Sequence, residues 1–146
     1  MDEEMKPWRV RRRSREIVIR NAAVQEFCKH GYDGASLQNI ADALRMNKAT
    51  LYHYVESKEH LLGSILDYAH DQVMGIVNEV SRISSDPMQQ LRAFLEMHLT
   101  WYLNNLELAQ VAFHEWTNLT GDLFESQRNR RRKYDAYVRE LIRAGQ

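Results

Sequence analysis

The stretch Ser36-Leu37-Gln38-Asn39-Ile40-Ala41-Asp42-Ala43-Leu44-Arg45-Met46-Asn47-Lys48-Ala49-Thr50-Leu51-Tyr52-His53-Tyr54-Val55 decides the fold. Ser36 is an N-cap candidate, because its hydroxyl can accept from a first-turn amide. Leu37, Ile40, Ala41 and Leu44 follow at i, i+3, i+4 and i+7, the spacing of one helical face. A short helix through Leu44, a linker of Arg45, Met46 and Asn47, and a third helix from Lys48 to about Val55 result. Leu51 and Val55 turn inward, and Met46 closes the corner. Two short helices across a tight turn match a helix-turn-helix, whose second helix enters the DNA major groove while the first lies across the backbone. Lys48, Thr50, Tyr52 and His53 are the polar residues left outside. Thr50 can bond a base edge or touch a thymine methyl, and Lys48 can reach guanine acceptors or phosphate. Tyr52, His53 and Lys58 suit phosphate oxygens, and the amide end of the Ser36 helix offers a further anion site. On spacing alone, two short core helices with an ordinary solvated face fit equally well.

Upstream, Ile19, Ala22, Ala23 and Phe27 predict a first helix from an N-cap at Ser14 to Gly31. Downstream, Ser57 caps a long helix to about Val80, with Leu61, Leu62, Ile65, Ala69, Val73, Ile76, Val77 and Val80 on its buried side. At about 1.5 Å per residue it spans about 36 Å, more than the front helices can cover, so it bridges to a second region. Asp86-Pro87 opens a helix to about Asn105 that is apolar nearly all round, which predicts a place in the centre of a bundle. Gly121-Asp122 separates the next helix from the last one. The expected fold is all-α: a basic arm at residues 1–13, a helix-turn-helix domain at 14–56, and a second helical domain at 57–146.

Composition narrows the class. The 146 residues suit one compact domain or two small ones, and a single cysteine excludes a disulfide scaffold. No apolar run is long enough to span a membrane, and Met1 to Glu16 is charged throughout, unlike a secretory signal; the expected location is the cytoplasm. Net charge is zero only by cancellation. Residues 1–60 carry eleven basic and nine acidic residues, residues 61–127 two and nine, and residues 128–146 seven and two. A basic front on an acidic body suggests that one end meets a polyanion.

The runs Ile40-Ala41-Asp42-Ala43, Met46-Asn47-Lys48-Ala49-Thr50-Leu51-Tyr52-His53-Tyr54-Val55 and Ser57-Lys58-Glu59-His60-Leu61-Leu62 resemble the DNA-binding domain of the TetR family of bacterial transcriptional regulators. Ile19, Ala22-Ala23, Phe27, Gly31-Tyr32 and Ser36 also fall where that family has its first-helix core, glycine-aromatic turn and second-helix cap. The match is close over residues 14–63 and only in helical outline beyond. It implies base reading by Lys48, Ala49 and Thr50, and backbone contacts by Tyr52, His53 and Lys58, beside the anion site already read at the Ser36 end of the second helix. It further implies a dimeric regulator, commonly a repressor, whose second domain binds a small effector and moves the long helix. Three positions depart from the pattern. Arg45 replaces a usual glycine, so the turn needs a left-handed arginine or an altered geometry; Arg20 and Glu26 replace aliphatic residues; Val55 replaces phenylalanine. The family also has two further helices beyond the point where this chain stops, so the chain reads as incomplete.

Arg9, Arg11, Arg12, Arg13 and Arg15 precede the expected first helix and are read as lacking fixed structure alone. They either track phosphates or enter the minor groove, with Arg11, Arg12 and Arg13 as DNA contacts, or form a solvated terminus; a nuclear-localisation run does not suit a bacterial-type family. In the second domain the family implies an apolar effector pocket, drawn from Met74, Phe94, His98, Trp101, Tyr102, Phe113, Trp116 and Tyr134; the same aromatics also suit a plain core. Extending the last helix's apolar stripe of Tyr134, Tyr137, Val138, Leu141 and Ile142 backward reaches Arg130 and Arg131, which need partners there. Either Glu96, Glu115 or Glu125 pairs with them, or an anionic effector with a greasy tail does, such as an acyl-CoA.

No metal, cofactor or catalytic constellation emerges. His30, His53, His60, His70, His98 and His114 lack ligand spacing, Asp67 and His70 being the nearest approach to a di-iron pair. Phosphate loop and nucleophile elbow are absent. An enzyme is not expected. Three functions stay in view: a ligand-responsive dimeric regulator on double-stranded operator DNA, a DNA-binding fragment without a competent sensor, and a helical protein-interaction module.

Overall fold

The computed structural model describes residues 7–145. It is all-α, with no strand among the described residues: α1 (Pro7–Gly34), α2 (Leu37–Ala43), α3 (Lys48–Tyr52), α4 (Lys58–Ile83), α5 (Pro87–Asn104), α6 (Leu106–His114), a 3-10 turn (Trp116–Asn118) and α7 (Gly121–Ala144). The chain divides into two compact units between Leu62 and Gly63, six residues beyond the expected boundary, because the first turn of α4 belongs with α1 to α3.

In the first unit α1 starts at Pro7, not near Ser14. Proline suits a helix start, and arginine is a strong helix former, so the basic run continues the helix instead of preceding it. Ser14 lies inside the helix, its Oγ donating to the Val10 carbonyl at 2.9 Å, and Arg12 pairs with Glu16 one turn on at 2.9 Å. The expected unstructured arm is therefore helical from Pro7; its residues 1–6 lie outside the described ones. Gly31, at φ 68°, breaks the helix before a last turn to Gly34. Ile19, Ala23 and Phe27 of α1, Leu37, Ile40 and Ala41 of α2, and Leu51, Val55, Leu61 and Leu62 form the buried set. Glu26, charged where an aliphatic residue was expected, accepts from Asn39 Nδ2 at 2.8 Å and so ties α1 to α2.

In the second unit Ile76, Val77 and Val80 of α4 pack with Phe94 of α5 and Leu141 of α7, bordered by Met74, Leu91, Met97, Trp101, Tyr134 and Tyr137. Asp86 caps α5 through the Met88 amide at 3.1 Å, with Pro87 in the first turn. The expectation that α5 sits at the centre of a bundle fails. Phe94 is its only buried residue, while Leu95, Leu99 and Leu103, at i, i+4 and i+8, are 57%, 58% and 59% exposed. The contacts α5 makes on its Phe94 side leave that opposite stripe uncovered. No helix among the described residues is long and apolar enough to cross a membrane.

The turn between α2 and α3 takes the left-handed form. Arg45 has φ 50°, its amide donates to Asp42 O at 3.0 Å, and the Met46 amide reaches back to Ala41 O at 2.9 Å. These two bonds close the carbonyl end of α2 in a Schellman motif, whose left-handed residue is normally glycine. A non-glycine residue there costs about 1–2 kcal/mol. Arg45→Gly relieves that strain against about 0.4–1 kcal/mol of added chain entropy in the unfolded state, for a net gain of about 0.5–1 kcal/mol. Urea denaturation should show a higher midpoint for this variant; a lower one contradicts the strain.

Candidate functional site

The α2 and α3 pair is set by two side-chain caps. Ser36 Oγ accepts from the Asn39 amide at 3.0 Å, and Asn47 Oδ1 accepts from the Thr50 amide at 2.7 Å. The Asn47 cap went unnoticed in the sequence, although asparagine directly before Lys48 is a strong start signal. Fully buried Leu51 then fixes the rotation of α3, turning Lys48, Ala49 and Tyr52 outward, with His53 exposed just after them. Thr50 is half-buried. Lys48 Nζ lies 5.9 Å from the Tyr52 ring centroid, so a cation and an aromatic hydroxyl share one exposed surface. Ser36 is half-buried, its hydroxyl already engaged as a cap. Arg11, Arg12 and Arg13 are exposed on α1, and Arg12 is paired with Glu16.

Lys58, expected from sequence as a phosphate contact, also makes bonds within the chain. Its Nζ donates to Tyr32 O at 2.7 Å and Ala35 O at 3.1 Å and sits 4.3 Å from the Tyr32 ring centroid. An ammonium has three N–H donors, and two are spent on carbonyls at and just beyond the C-terminal end of α1. In this structure Lys58 fastens the start of α4 to the end of α1.

The second unit holds a cavity of about 160 Å³. Of the expected effector residues, His98, Trp101, Phe113, Arg131 and Tyr134 line it. Met74, Phe94, Tyr102, Trp116 and Arg130 do not. Phe94 is core, Met74 packs on that core, and Tyr102 faces the exposed side, its ring 6.5 Å from Phe113. Trp116 stacks on Phe124 at 5.4 Å. Arg130 pairs with Asp67 at 3.4 Å and Asp71 at 3.2 Å, both on α4, in place of the glutamates considered from sequence. Walls that the sequence did not single out are Leu66, Ala69, His70 and Val73 of α4, Ala109 and Ala112 of α6, and Gln127 and Asp135 of α7.

Arg131 is the cavity's distinctive group. Its Nη1 donates to Ala112 O at 3.1 Å, and its guanidinium carbon lies 4.8 Å from the Trp116 ring and 5.8 Å from Phe113. No carboxylate among the described residues forms an ion pair with it; burial pulls its pKa down, and Asp135 partly opposes this. Across the cavity Tyr134 Oη and His98 Nδ1 are hydrogen-bonded at 2.8 Å. Burial pushes the Tyr134 hydroxyl up to about 12 and lowers His98, so both are neutral near pH 7. His70 is lowered by burial first and by Arg130 second.

The chain matches two family descriptions: "Bacterial regulatory proteins, tetR family" over residues 19–65, and "Tetracyclin repressor-like, C-terminal domain" over residues 84–146. It is 26% identical over 136 residues to the HTH-type transcriptional repressor NicS of Pseudomonas putida, covering 92% of this chain and 64% of that one. Among solved structures, a TetR-family transcriptional regulator from Bordetella parapertussis superposes with TM-score 0.83 at 26% identity, covering 87% of this chain and 66% of that one. AibR, solved in complex with isovaleryl coenzyme A and operator DNA, gives TM-score 0.78 at 32% identity, covering 87% of this chain and 69% of that one. The chain thus spans less than two thirds of the length of NicS.

Two measurements check the geometry. Lys58→Met should lower stability by about 1–2 kcal/mol, the worth of hydrogen bonds from a half-buried charged donor, whereas Lys48→Met should leave it within about 0.5 kcal/mol. Equal urea midpoints for the two variants contradict the fastening role. For pH, an unfolded histidine binds its proton near 6.5, whereas folded His70 and His98 bind theirs lower. Their contribution is therefore complete above 6.5 and is lost as pH falls below it, because the unfolded state then takes up more protons. The denaturation midpoint should drop from about pH 7.5 to about pH 5.5, and His70→Gln with His98→Gln should flatten that slope; an equally steep slope counts against the assignment.

Proposed function

The chain belongs to the TetR family of bacterial transcriptional regulators, and from that premise we propose that it is a sequence-specific DNA-binding regulator, a repressor that leaves its operator when a small lipophilic effector fills the cavity beside Arg131. The observation that carries this is α3: Lys48, Ala49 and Tyr52 exposed on one short helix whose rotation Leu51 and Asn47 fix, with His53 exposed at its C-terminal cap. Lys48, Ala49 and Thr50 read bases, Tyr52 and His53 hold phosphates, and the α1 arginines add sequence-independent attraction. Residues 7–13 do this as a helical extension. Lys58 and Ser36 act by holding α2 and α4 in place for that contact.

Two copies place two α3 helices on one double-stranded operator, and the exposed Leu95, Leu99 and Leu103 stripe supports an apolar association surface in the second unit. Effector occupancy is transmitted by α4, which lines the cavity with Ala69, His70 and Val73 and begins at the anchored Lys58. The regulator works in the cytoplasm, where its operator is, as a binding protein and not an enzyme. For the effector, an acyl-CoA is a second reading, favoured by the isovaleryl coenzyme A bound in the AibR complex.

Mobility shift on DNA from the gene's own genomic neighbourhood, titrated with salt, tests the proposal. Lys48→Ala and Tyr52→Ala should each weaken binding by about 1–3 kcal/mol. Joint neutralisation of Arg11, Arg12 and Arg13 should flatten the salt dependence and leave sequence preference intact. An unchanged slope removes the arginines from the interface. Absence of any salt-sensitive binding overturns the DNA role and leaves a helical interaction module, and weak binding by a monomer deaf to every effector points to a fragment without a sensor.

A further inference from the structure

The cavity in the second unit is more selective than its apolar walls suggest, and the inference rests on the effector reading above. At about 160 Å³ it is close to the size of an engineered apolar cavity of about 150 Å³ that holds one benzene, and well below the range of about 300–1,000 Å³ for pockets that enclose larger ligands. Three of its wall positions are alanines, Ala69 on α4 with Ala109 and Ala112 on α6. Alanine leaves a nearly flat helix surface, so facing helices with alanine at the contact leave room for a slab. Trp101 and Phe113 add aromatic walls.

The electrostatics single out one end of that slab. Arg130 is answered by Asp67 and Asp71, and Gln127 occupies Asp67 as well, donating to its Oδ1 at 2.6 Å. Arg131, the next residue, lines the cavity with a backbone carbonyl and two aromatic faces as its close contacts and the exposed carboxylate of Asp135 as the nearby opposite charge. One of its five N–H donors is used on Ala112, which leaves several for a planar, charge-bearing oxygen pair. His70 and His98 are neutral near pH 7, so Arg131 is the positive charge of the site. Asp135 also lines it but is exposed, where water screens it; its charge still disfavours a second anionic group on the ligand.

We propose that the effector is a compact aromatic monocarboxylate in its free form, its ring between the alanine faces and Trp101 and its carboxylate on the Arg131 guanidinium. In an acyl-CoA the thioester group is neutral and the negative charge sits on the phosphates of a nucleotide too large for a cavity of about 160 Å³.

The test uses the full chain, with thermal shift for binding and mobility shift for release from DNA. Benzoate and phenylacetate are the probes, benzamide is the neutral isostere, phthalate the dianion and isovaleryl-CoA the thioester. The monocarboxylates should raise Tm and release DNA, with benzamide and phthalate at least about tenfold weaker. Arg131→Gln should erase the preference for benzoate over benzamide, and Ala109→Leu, which fills the cavity, should abolish binding. Should Ala109→Leu fail to fold, Arg131→Gln decides alone, because it leaves the walls intact. If isovaleryl-CoA or neutral compounds act and the free acids do not, the ligand class is wrong while the effector cavity stands. If a compound releases DNA equally well from Ala109→Leu, the cavity reading itself falls. Silence from both monocarboxylates, or preference for benzoate surviving in Arg131→Gln, overturns the proposal.

Discussion

The ammonium of Lys58 on the carbonyls of Tyr32 and Ala35 is the contact around which the first unit is organised. The left-handed glycine at position 31 kinks α1, and the end of the helix at Gly34 leaves carbonyls that need donors. Lys58 supplies them from the first turn of α4, and the Tyr32 ring covers the charge. With α1 and α4 thus joined, Phe27, Ile40, Leu51 and Leu62 close into one core, and α3 has a single way to face solvent. A half-buried cation bound to backbone carbonyls is directional where apolar packing is not, so it fixes the first turn of α4 against the end of α1.

Charge is distributed to match. Arg9, Arg11, Arg12, Arg13 and Arg15 are exposed on α1 and Lys48 on α3, whereas two acidic residues of α4, Asp67 and Asp71, pair with Arg130 of α7. The acidic body and the basic last helix thereby answer each other inside the second unit, and the front keeps its positive character for a polyanion. Arg131 is the α7 arginine that lines the cavity.

Much of this was legible in residues. Periodicity and caps found α2, α4 and α5, since Ser36, Ser57 and Asp86 each make the amide bond their position implies. Of the two geometries that the family's usual glycine at position 45 left open, the left-handed arginine is the one present. The start of α1 was not legible, because Ser14 is a fair cap by identity and only the helix propensity of the arginine run decides against it. The role of Lys58 was hidden because its partners are backbone atoms, which carry no sequence signal. The cavity walls were hidden for a related reason: Ala69, Ala109 and Ala112 act by what they lack. The all-round apolar pattern of α5 was read as burial, but periodicity reports which faces are greasy and not which are covered, and Leu95, Leu99 and Leu103 face outward.

The central claim is that α3, positioned by Leu51, Asn47 and Lys58, is the surface that meets DNA. Amide hydrogen exchange of the full chain with and without DNA from its genomic neighbourhood tests it most directly. The account predicts slowed exchange across residues 36–58 and along the arginine turns of α1, with the core amides of α5 and α7 unchanged. Unchanged exchange in α2 and α3 while DNA is bound, or protection confined to the second unit, would contradict it.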